Sequence, residues 1–220
     1  MQFDLATLVG VAGTLLAAAY TVPQFRRLRG MTTATGISVA ALANSTISGT
    51  AWTVFGVAEH QVWVALPALV SLPATAGALV LAWLRGGSRD RLWLPVVWLV
   101  VLAAVGVASF RVGSGPATIV LGCSVALMVT PAAVTAWRSH DVSAIAASAW
   151  AMLLVDAALA AAYGVLAQVD ANLIYAVVAT AGSLAILLRI GLPAHLHARL
   201  VRLPDGVDPD VTREGLELVA

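Results

Sequence analysis

The feature that most constrains this chain is a series of seven apolar runs, each about as long as a membrane-spanning helix. A helix needs about 20 predominantly apolar residues to cross the hydrocarbon core of a bilayer. Of the 220 residues, 60% are hydrophobic and only 10% are charged, which is too little polar surface for a soluble domain. The sequence therefore predicts an all-α polytopic membrane protein. The runs are Leu5–Val22, Ile37–Val57, Val62–Leu84, Leu92–Phe110, Ala117–Trp137, Val142–Ala167 and Asn172–Ile190.

The arginines predict how the chain crosses the membrane. With seven spans, only Arg111 falls on the side of the N-terminus, and the other arginines fall on the opposite side. Cytoplasmic loops carry an excess of basic residues, so we expect the N-terminus outside and the C-terminus in the cytoplasm, in the plasma membrane of a prokaryote. The first run has no basic residue before it and three arginines after it, the reverse of a secretory signal peptide. We therefore expect a retained first helix.

An internal repeat organises the seven runs. A single gapless shift of the sequence along itself places Val22-Pro23 on Thr130-Pro131 and Phe55-Gly56-Val57 on Tyr163-Gly164-Val165. We call positions that this shift pairs repeat-equivalent. Transporters are often built from duplicated helix bundles. The sequence thus predicts two parallel three-helix bundles joined by one linker helix (3+1+3). The predicted boundaries are 1–86, 87–115 for the linker, 116–191, and 192–220 for a partly disordered cytoplasmic tail.

The linker helix and the first helices of the two repeats carry simple packing patterns. Trp93, Pro95 and Trp98 open the linker run, where tryptophan is typical of a membrane-interface belt. Small residues allow helices in lipid to approach closely, so we expect helix contacts at such positions in the first helix of each repeat. These positions are Gly10, Gly13, Gly122 and Ser124.

Several chemistries find little support in the sequence. The chain shows no nucleophile–base pair, no phosphate-binding loop, no cofactor motif and no basic aromatic surface for nucleic acid. His195 and His197 lack a third ligand, so they are weak grounds for a metal site, while His60 and His140 fall in loops. Cys123, the single cysteine, is interpreted as a small packing residue within a helix. An enzyme is therefore not expected, and we expect no metal or cofactor.

Three motifs of the first repeat resemble those of the PQ-loop superfamily, and within it the SWEET sugar transporters. They are Pro23-Gln24, Thr35-Gly36-Ile37-Ser38, and Trp52-Thr53-Val54-Phe55-Gly56. The resemblance covers about 5–190 and implies seven helices arranged as three, one and three. It also implies that the protein moves a mono- or disaccharide by alternating access through a central site between the two bundles.

The second repeat departs from the family pattern. It has Pro131-Ala132 in place of the proline–glutamine pair and Ala160 at the position equivalent to Trp52. The runs Ile37–Val57 and Val142–Ala167 contain no proline, whereas the family tends to carry one there. This leaves Pro23 and Pro131 as the hinge candidates. The family's sugar-contacting asparagine would fall on alanine in both repeats, and Asn172 lies one turn earlier.

Helical spacing predicts which residues face a central pathway. Residues three or four apart share one helix face, and faces related by the repeat are expected to meet at the axis. On the first face lie Asn44, Ser48, Trp52 and Phe55, and on the second Met152, Asp156, Ala160 and Tyr163. The resemblance implies that Trp52 stacks on a sugar ring, with packing between helices as the alternative. It also implies an extracellular gate at Phe55 and Tyr163; because Phe55 lacks a hydroxyl, a symmetric hydrogen-bonded gate is not expected.

Asp156 is the charged residue that lies deepest within a predicted span. A carboxylate at that depth costs about 2.5–3.5 kcal/mol on insertion scales, so it seldom faces lipid. Three interpretations are open: a pathway group that binds solute or a proton, a protonated structural hydrogen-bonder, or a residue of a misplaced helix. Asn172 is interpreted as a pathway residue or as a helix N-cap.

The predicted function is transport of a small polar solute, with a sugar as the first expectation. Two alternatives stay open: a proton-coupled amino-acid transporter, which the superfamily resemblance allows, and a non-transporting seven-helix receptor or trafficking protein. The expected partners are the solute and the lipid bilayer, and a homo-oligomer is compatible with the sequence.

Overall fold

The computed structural model describes residues 4–30, 32–34, 38–87, 89, 91–138, 147–193, 196–197 and 200. At positions 23, 24, 27, 131, 132, 134, 135, 138 and 149 it describes the backbone alone. Within these residues the fold is all-helical, with no β-strand. The helices are α1 (Leu5–Gly30), α2 (Val39–Ala58), α3 (Val62–Leu84), α4 (Trp93–Val112), α5 (Gly115–Gly122), α6 (Ala126–Arg138), α7 (Ala147–Ala167) and α8 (Asp170–Gly191).

Five of these helices are long and apolar enough to cross a membrane, so the chain is an integral membrane protein. They are α1 over Leu5–Val22, α3, α4, α7 over Trp150–Ala167, and α8. Helix α2 is not among the five, because its polar face lowers its hydropathy. The predicted tail beyond residue 200 lies outside the described residues.

The predicted fifth helix is broken into α5 and α6. Residues 123–125 form turns in which Ser124, Ala126 and Leu127 donate their N–H groups to carbonyls three residues earlier. Such a tightened turn within a helix redirects the chain. Close packing fixes its position, since a Cβ on Gly122 would lie 2.6 Å from Ile174 of α8. The expectation of a packing cysteine within a helix is wrong, because Cys123 lies exposed in this break.

The helices pack in two groups, and in each group the last helix lies between the others. In the first group α3 packs against both α1 and α2. In the second, α8 packs against α7, α6 and α5. Helix α4 packs on α2 and α5, and α1 packs on α7, so contacts on two sides join the groups. We call α1–α3 the first helix group and α5–α8 the second helix group.

The turns that end α2 and α7 have the same backbone geometry at repeat-equivalent positions. His60 and Gln168 both have φ of 55°. The next N–H in each turn reaches back five residues, from Gln61 to Gly56 at 2.7 Å and from Val169 to Gly164 at 2.9 Å. A left-handed residue followed by this hydrogen bond is the Schellman end of a helix.

Gly56 and Gly164, the acceptors in those turns, also sit at close helix contacts. A Cβ on Gly56 would lie 2.5 Å from the backbone nitrogen of Ala65, and a Cβ on Gly164 would lie 2.8 Å from a methyl group of Leu173. Both glycines therefore allow close packing at these helix ends. The expected contact at Gly10 is confirmed by Trp63, whereas Gly13 has no atom within 4 Å of its would-be Cβ.

In each group, an arginine at the end of the last helix donates to a carbonyl near the end of an earlier helix. Arg85 Nη1 donates to the carbonyl of Leu28, and Arg189 Nε donates to that of Ala136 at 3.1 Å. The two acceptors are again repeat-equivalent. Since the last carbonyls of a helix lack partners within it, these bonds tie the helix ends together. Arg189 is buried, unlike Arg85.

Candidate functional site

A cavity of about 750 Å³ lies between the two helix groups. It runs from Trp63 and Tyr163 at one end to Ser38 and Arg91 at the other. We call these the tyrosine end, which holds the α2–α3 and α7–α8 turns, and the arginine end, which holds the C-terminal ends of α1, α3 and α8. Six of the residues that the sequence assigned to substrate or gate line this one cavity: Asn44, Ser48, Trp52, Asp156, Tyr163 and Asn172.

Asp156 lies near the middle of α7, and its carboxylate has a specific partner. Tyr175 of α8 donates its hydroxyl hydrogen to Asp156 Oδ2 at 2.6 Å. Tyr20 of α1, which also lines the cavity, lies close enough to interact electrostatically with the same carboxylate. A short hydrogen bond to a carboxylate is stronger than one between neutral groups. The arrangement makes Asp156 the polar centre of the cavity.

Trp52 of α2 lies opposite this centre and contacts both helix groups. Its indole Nε1 donates to Ser124 Oγ at 3.2 Å, at the break between α5 and α6. Its ring meets those of Phe55 and Tyr175 edge to face, with centroids 6.0 and 6.1 Å away. The two interpretations of Trp52 are thus compatible, because the side chain packs between helices and also lines the cavity.

Trp98 of the linker helix differs from its predicted place in an interfacial belt. Its side chain is buried, and its Nε1 donates to Ser48 Oγ at 2.9 Å. Ser48 lines the cavity, so α4 is bonded to the cavity wall. The belt expectation for Trp98 is therefore wrong, because Ser48 on the cavity-facing side of α2 supplies an acceptor that holds the indole inside the protein. Trp93 remains 61% exposed.

Two cavity-lining asparagines have buried side-chain oxygens without a hydrogen-bond partner. They are Oδ1 of Asn44 in α2 and Oδ1 of Asn172 in α8. The N-cap interpretation of Asn172 is wrong, because α8 is capped by Val169 and Asn172 lies within its first turn. A buried carbonyl group left without a donor costs about 1–3 kcal/mol. Such groups commonly mark a place where a ligand or water binds.

The tyrosine end is crossed by a hydrogen bond between the two groups. Tyr163 of α7 donates its hydroxyl hydrogen to Gln61 Oε1, in the α2–α3 turn, at 2.9 Å. Phe55, the other gate candidate, packs beside Tyr163 in an apolar cluster. The hydrogen bond uses Gln61 instead of a second aromatic residue, so the contact is asymmetric.

Apolar packing differs between the two ends. At the tyrosine end one cluster combines Phe55, Val64, Leu121, Tyr163, Val169 and Ala171, and so joins both groups. Toward the arginine end there are two separate clusters. One contains Leu28, Ala34, Val39, Ala78 and Ala82, and the other contains Val125, Val129, Ala157 and Ala179. Among the described residues, the groups are therefore sealed together at the tyrosine end and packed separately further along.

Several of the predicted hinge and metal-site residues lie partly or wholly outside the described residues. Pro23 and Pro131 lie within α1 and α6, and their side chains are not described. His195 and His140 are outside the described residues. His197 is buried and donates from Nε2 to the carbonyl of Trp137 at 2.9 Å, which gives it a packing role. The described residues contain no cluster of three metal-ligating side chains.

Four site residues were missed from the sequence: Tyr175, Tyr20, Ser124 and Gln61. Tyr175 left a usable signal. A tyrosine inside an apolar helix needs a hydrogen-bond partner, and so does Asp156 in the preceding helix. Ser124 was noted only as a small residue, and its role depends on the break between α5 and α6.

The chain was also compared with known proteins. No protein-family model matches it, and no curated protein does.

Proposed function

We propose that this protein is a membrane carrier that moves a small polar solute by alternating access. The observation that carries the proposal is the cavity of about 750 Å³ with Asp156 at its centre. A carboxylate inside apolar helices is costly, and it is typically found where a solute or ion pathway runs. Binding sites of carriers are expected between repeated helix bundles, near the middle of the membrane.

The unequal packing of the two ends supports the alternating-access part of the proposal. The Tyr163–Gln61 hydrogen bond and the joint apolar cluster close the tyrosine end. The separate clusters nearer the arginine end allow the two groups to move relative to each other. In the proposed cycle the groups rock about the cavity, so that the tyrosine end opens when the arginine end closes. Pro23 and Pro131 are the proposed hinges.

The matching turns and the arginine-held carbonyls at repeat-equivalent positions support an origin from two repeated units. We therefore extend the proposal to seven spans arranged as three, one and three, with α5 and α6 together forming the fifth. The arginines favour a cytoplasmic arginine end by the positive-inside rule. In that orientation the tyrosine end faces outward.

The resemblance of the first repeat to SWEET transporters makes a sugar the first solute to test. Trp52 supports this choice, because an indole on the cavity wall can pack against the C–H surface of a sugar ring. A second candidate is a proton-coupled carrier of amino acids. The Asp156–Tyr175 hydrogen bond favours it, since a carboxyl group that faces a cavity can take up and release a proton.

Uptake into proteoliposomes tests the carrier function. The purified protein is reconstituted and offered radiolabelled sugars, amino acids and amines, with and without an imposed proton gradient. Saturable uptake of at least one solute, above that of protein-free liposomes, is the expected result. Absence of uptake across the whole panel would contradict the carrier proposal and favour a receptor.

Replacement of Trp52 tests its place in the pathway. We expect Trp52→Ala to raise the concentration for half-maximal uptake by about tenfold, equivalent to about 1.4 kcal/mol of lost binding. Trp93→Ala is the matched control, because Trp93 is exposed at the start of α4 and does not line the cavity. Unchanged uptake in Trp52→Ala would assign the indole to packing alone.

A further inference from the structure

Several hydrogen-bond donors on the cavity wall are used within the protein. The hydroxyls of Thr21, Ser71 and Thr75 donate to backbone carbonyls of their own helices, at 2.9, 2.7 and 3.1 Å. A hydroxyl that has given its hydrogen to the backbone offers only its lone pairs to a ligand. The indole of Trp52 and the phenols of Tyr163 and Tyr175 are also engaged, with Ser124, Gln61 and Asp156.

Hydrogen-bond acceptors on the same wall remain available. Among the described residues, the amide oxygens of Asn44 and Asn172 have no hydrogen-bond partner, and Asp156 receives a hydrogen bond from Tyr175 alone. These oxygens can therefore accept hydrogen bonds from a ligand that carries N–H or O–H groups. A buried amide oxygen without a donor destabilises the protein, and a ligand that donates a hydrogen bond to it removes that cost. These two oxygens therefore favour the binding of such a ligand.

The charge of Asp156 is also uncompensated by the protein. In the part of the chain that the structure describes, no arginine or histidine forms an ion pair with it. The titratable groups that face it are Tyr20 and Tyr175, from the two helices packed on α7. Arg91 is the one cation among the described lining residues, and it lies at the arginine end, before α4. A carboxylate without a countercharge is strongly disfavoured inside a membrane protein.

From these observations we propose that the central cavity binds a monovalent organic ammonium ion. Its positive charge pairs with Asp156, and an N–H or O–H group of the ligand donates to a free oxygen on the cavity wall, that of Asn44 or that of Asn172. The rings of Trp52, Tyr175 and Tyr20 supply aromatic surface beside the charge, which favours a cation over a neutral solute. The proposal deepens the carrier function and rests on it, because it names the class of solute.

The same geometry makes the ammonium ion and a proton competitors for one site. When the cation leaves, Asp156 is neutralised by taking one proton on its carboxylate oxygen, and when a cation binds, that proton is released. Each state that crosses the membrane barrier then holds either one proton or one cation. A carrier built in this way exchanges one monovalent cation for one proton.

Equilibrium binding to the full-length protein in detergent micelles, measured by calorimetry, tests the proposal separately from transport. Three probes separate charge from hydrogen bonding. Ethanolamine has an ammonium group and donors, tetramethylammonium has the charge without a donor, and glucose has donors without a charge. The expected order of affinity is ethanolamine, then tetramethylammonium, then glucose. Binding of glucose with no binding of either cation would overturn the proposal, while leaving the carrier function intact.

The Asp156→Asn variant removes the charge and keeps the shape. It is expected to lower the affinity for ethanolamine by about 30-fold or more, because a cation bound in the cavity loses its partner. Asp170→Asn is the matched control, since it makes the same substitution at an exposed position on α8. Equal loss in both variants, or none in Asp156→Asn, would overturn the role of Asp156.

The pH dependence of the native protein provides a second measurement that requires no variant. Tetramethylammonium has no titratable proton, so a change in its affinity with pH reports on the protein. Competition with one proton weakens its apparent affinity by up to about tenfold per pH unit on acidification. Proton release on binding, read from the dependence of heat on buffer ionisation, accompanies it. A pH-independent affinity without proton release would overturn the competition.

Discussion

The two helix groups share a framework but differ where they face the cavity. Repeat-equivalent positions form the same turns, the same tight glycine contacts and the same arginine-held carbonyls. On the cavity wall, by contrast, the repeat-equivalent residues differ. The pairs are Ser48 and Asp156, Trp52 and Ala160, and Pro67 and Tyr175. The first group thus supplies the indole, and the second supplies the carboxylate with its phenol.

The two groups therefore agree at the positions that set helix packing and differ at the positions that face the cavity. Residues that set helix spacing must satisfy steric demands that are the same in both groups. Residues that face the cavity are under no such shared steric demand, and under the proposed function a small asymmetric ligand needs different groups on its two sides. Variants that exchange or remove equivalent positions can separate these demands.

Exchanging the two cavity positions is expected to have the largest effect. In the double variant Ser48→Asp with Asp156→Ser, the carboxylate moves to the first group, where it meets the indole of Trp98 and position 67 holds a proline instead of a tyrosine. We expect ethanolamine affinity to fall about 30-fold or more. Calorimetry on the double variant and both single variants measures the effect. Affinity near that of the native protein would mean that the two positions are interchangeable.

The tight glycines are expected to differ in sensitivity. In Gly56→Ala the new methyl would meet the backbone of Ala65, which cannot move independently, so the expected loss of unfolding free energy is about 3 kcal/mol. In Gly164→Ala it would meet mainly the Leu173 side chain, which can shift, with the Leu173 backbone nitrogen further away at 3.2 Å, and about 1 kcal/mol is expected. Denaturation in mixed micelles measures both. A larger loss for Gly164→Ala would contradict this comparison, and Gly13→Ala is the control, because no atom lies near its would-be Cβ.

The hydrogen bond across the tyrosine end is expected to make a moderate contribution. Tyr163→Phe removes this hydrogen bond and places at position 163 the same residue as at the repeat-equivalent position 55. The expected loss of unfolding free energy is about 1 kcal/mol. Gln61→Leu removes the other partner. A double-mutant cycle with both changes should show a coupling of about 1 kcal/mol between Tyr163 and Gln61. Additive effects would mean that this bond does not hold the groups together.

The smallest effect is expected at Asp4, whose repeat-equivalent position, Val112, is the last residue of the linker helix α4. Asp4 precedes α1, and Oδ1 accepts the backbone N–H of Thr7 at 2.8 Å, which lowers the pKa of this carboxyl below its ordinary value of 3.8. A lowered folded-state pKa gives stability that is present above the unfolded value and is lost as pH falls through the folded value. The melting temperature of native protein and Asp4→Ala, measured from about pH 6 to pH 3, should therefore converge on acidification.

Asn at position 4 is the control for that titration. Asp4→Asn keeps an acceptor at the start of α1 and has no carboxyl to protonate. Its difference from Asp4→Ala should stay constant over the same range of pH. If the difference in melting temperature between native protein and Asp4→Ala also stayed constant with pH, the charge of Asp4 would not contribute to this interaction.

Hydropathy predicted most of the helices and some of their boundaries. The features that it missed depend on side-chain contacts between helices or on polar residues at helix ends. Val62–Leu84 was predicted with both boundaries correct, because charged and polar residues flank an uninterrupted apolar run. Helix α1 was predicted to end at Val22 but continues to Gly30, since its last turns carry arginines that are typical of a loop on a hydropathy scale. The break after Gly122 lies where α5 packs closely on Ile174 of the distant helix α8, a contact that no local pattern reveals.

The cavity wall was predicted more fully for α2 and α7 than for the other helices. Periodicity identified Asn44, Ser48, Trp52 and Asp156, because polar residues at helical spacing stand out in apolar helices. It could not indicate that Trp98 turns inward, since an indole near a membrane boundary has the same local pattern in either orientation. The rotation of α4 about its axis is set by its contacts with α2 and α5.

Cys123, in the break between α5 and α6, is a natural attachment site for a spectroscopic probe. Cys123 is the single cysteine of the chain, and it is exposed beside Ser124, which accepts the hydrogen bond of Trp52. A nitroxide or fluorophore attached there needs no engineered cysteine and reports from within about one helical turn of the cavity wall. A change in its polarity or mobility as a solute is added would test the proposed alternating-access cycle in the native sequence.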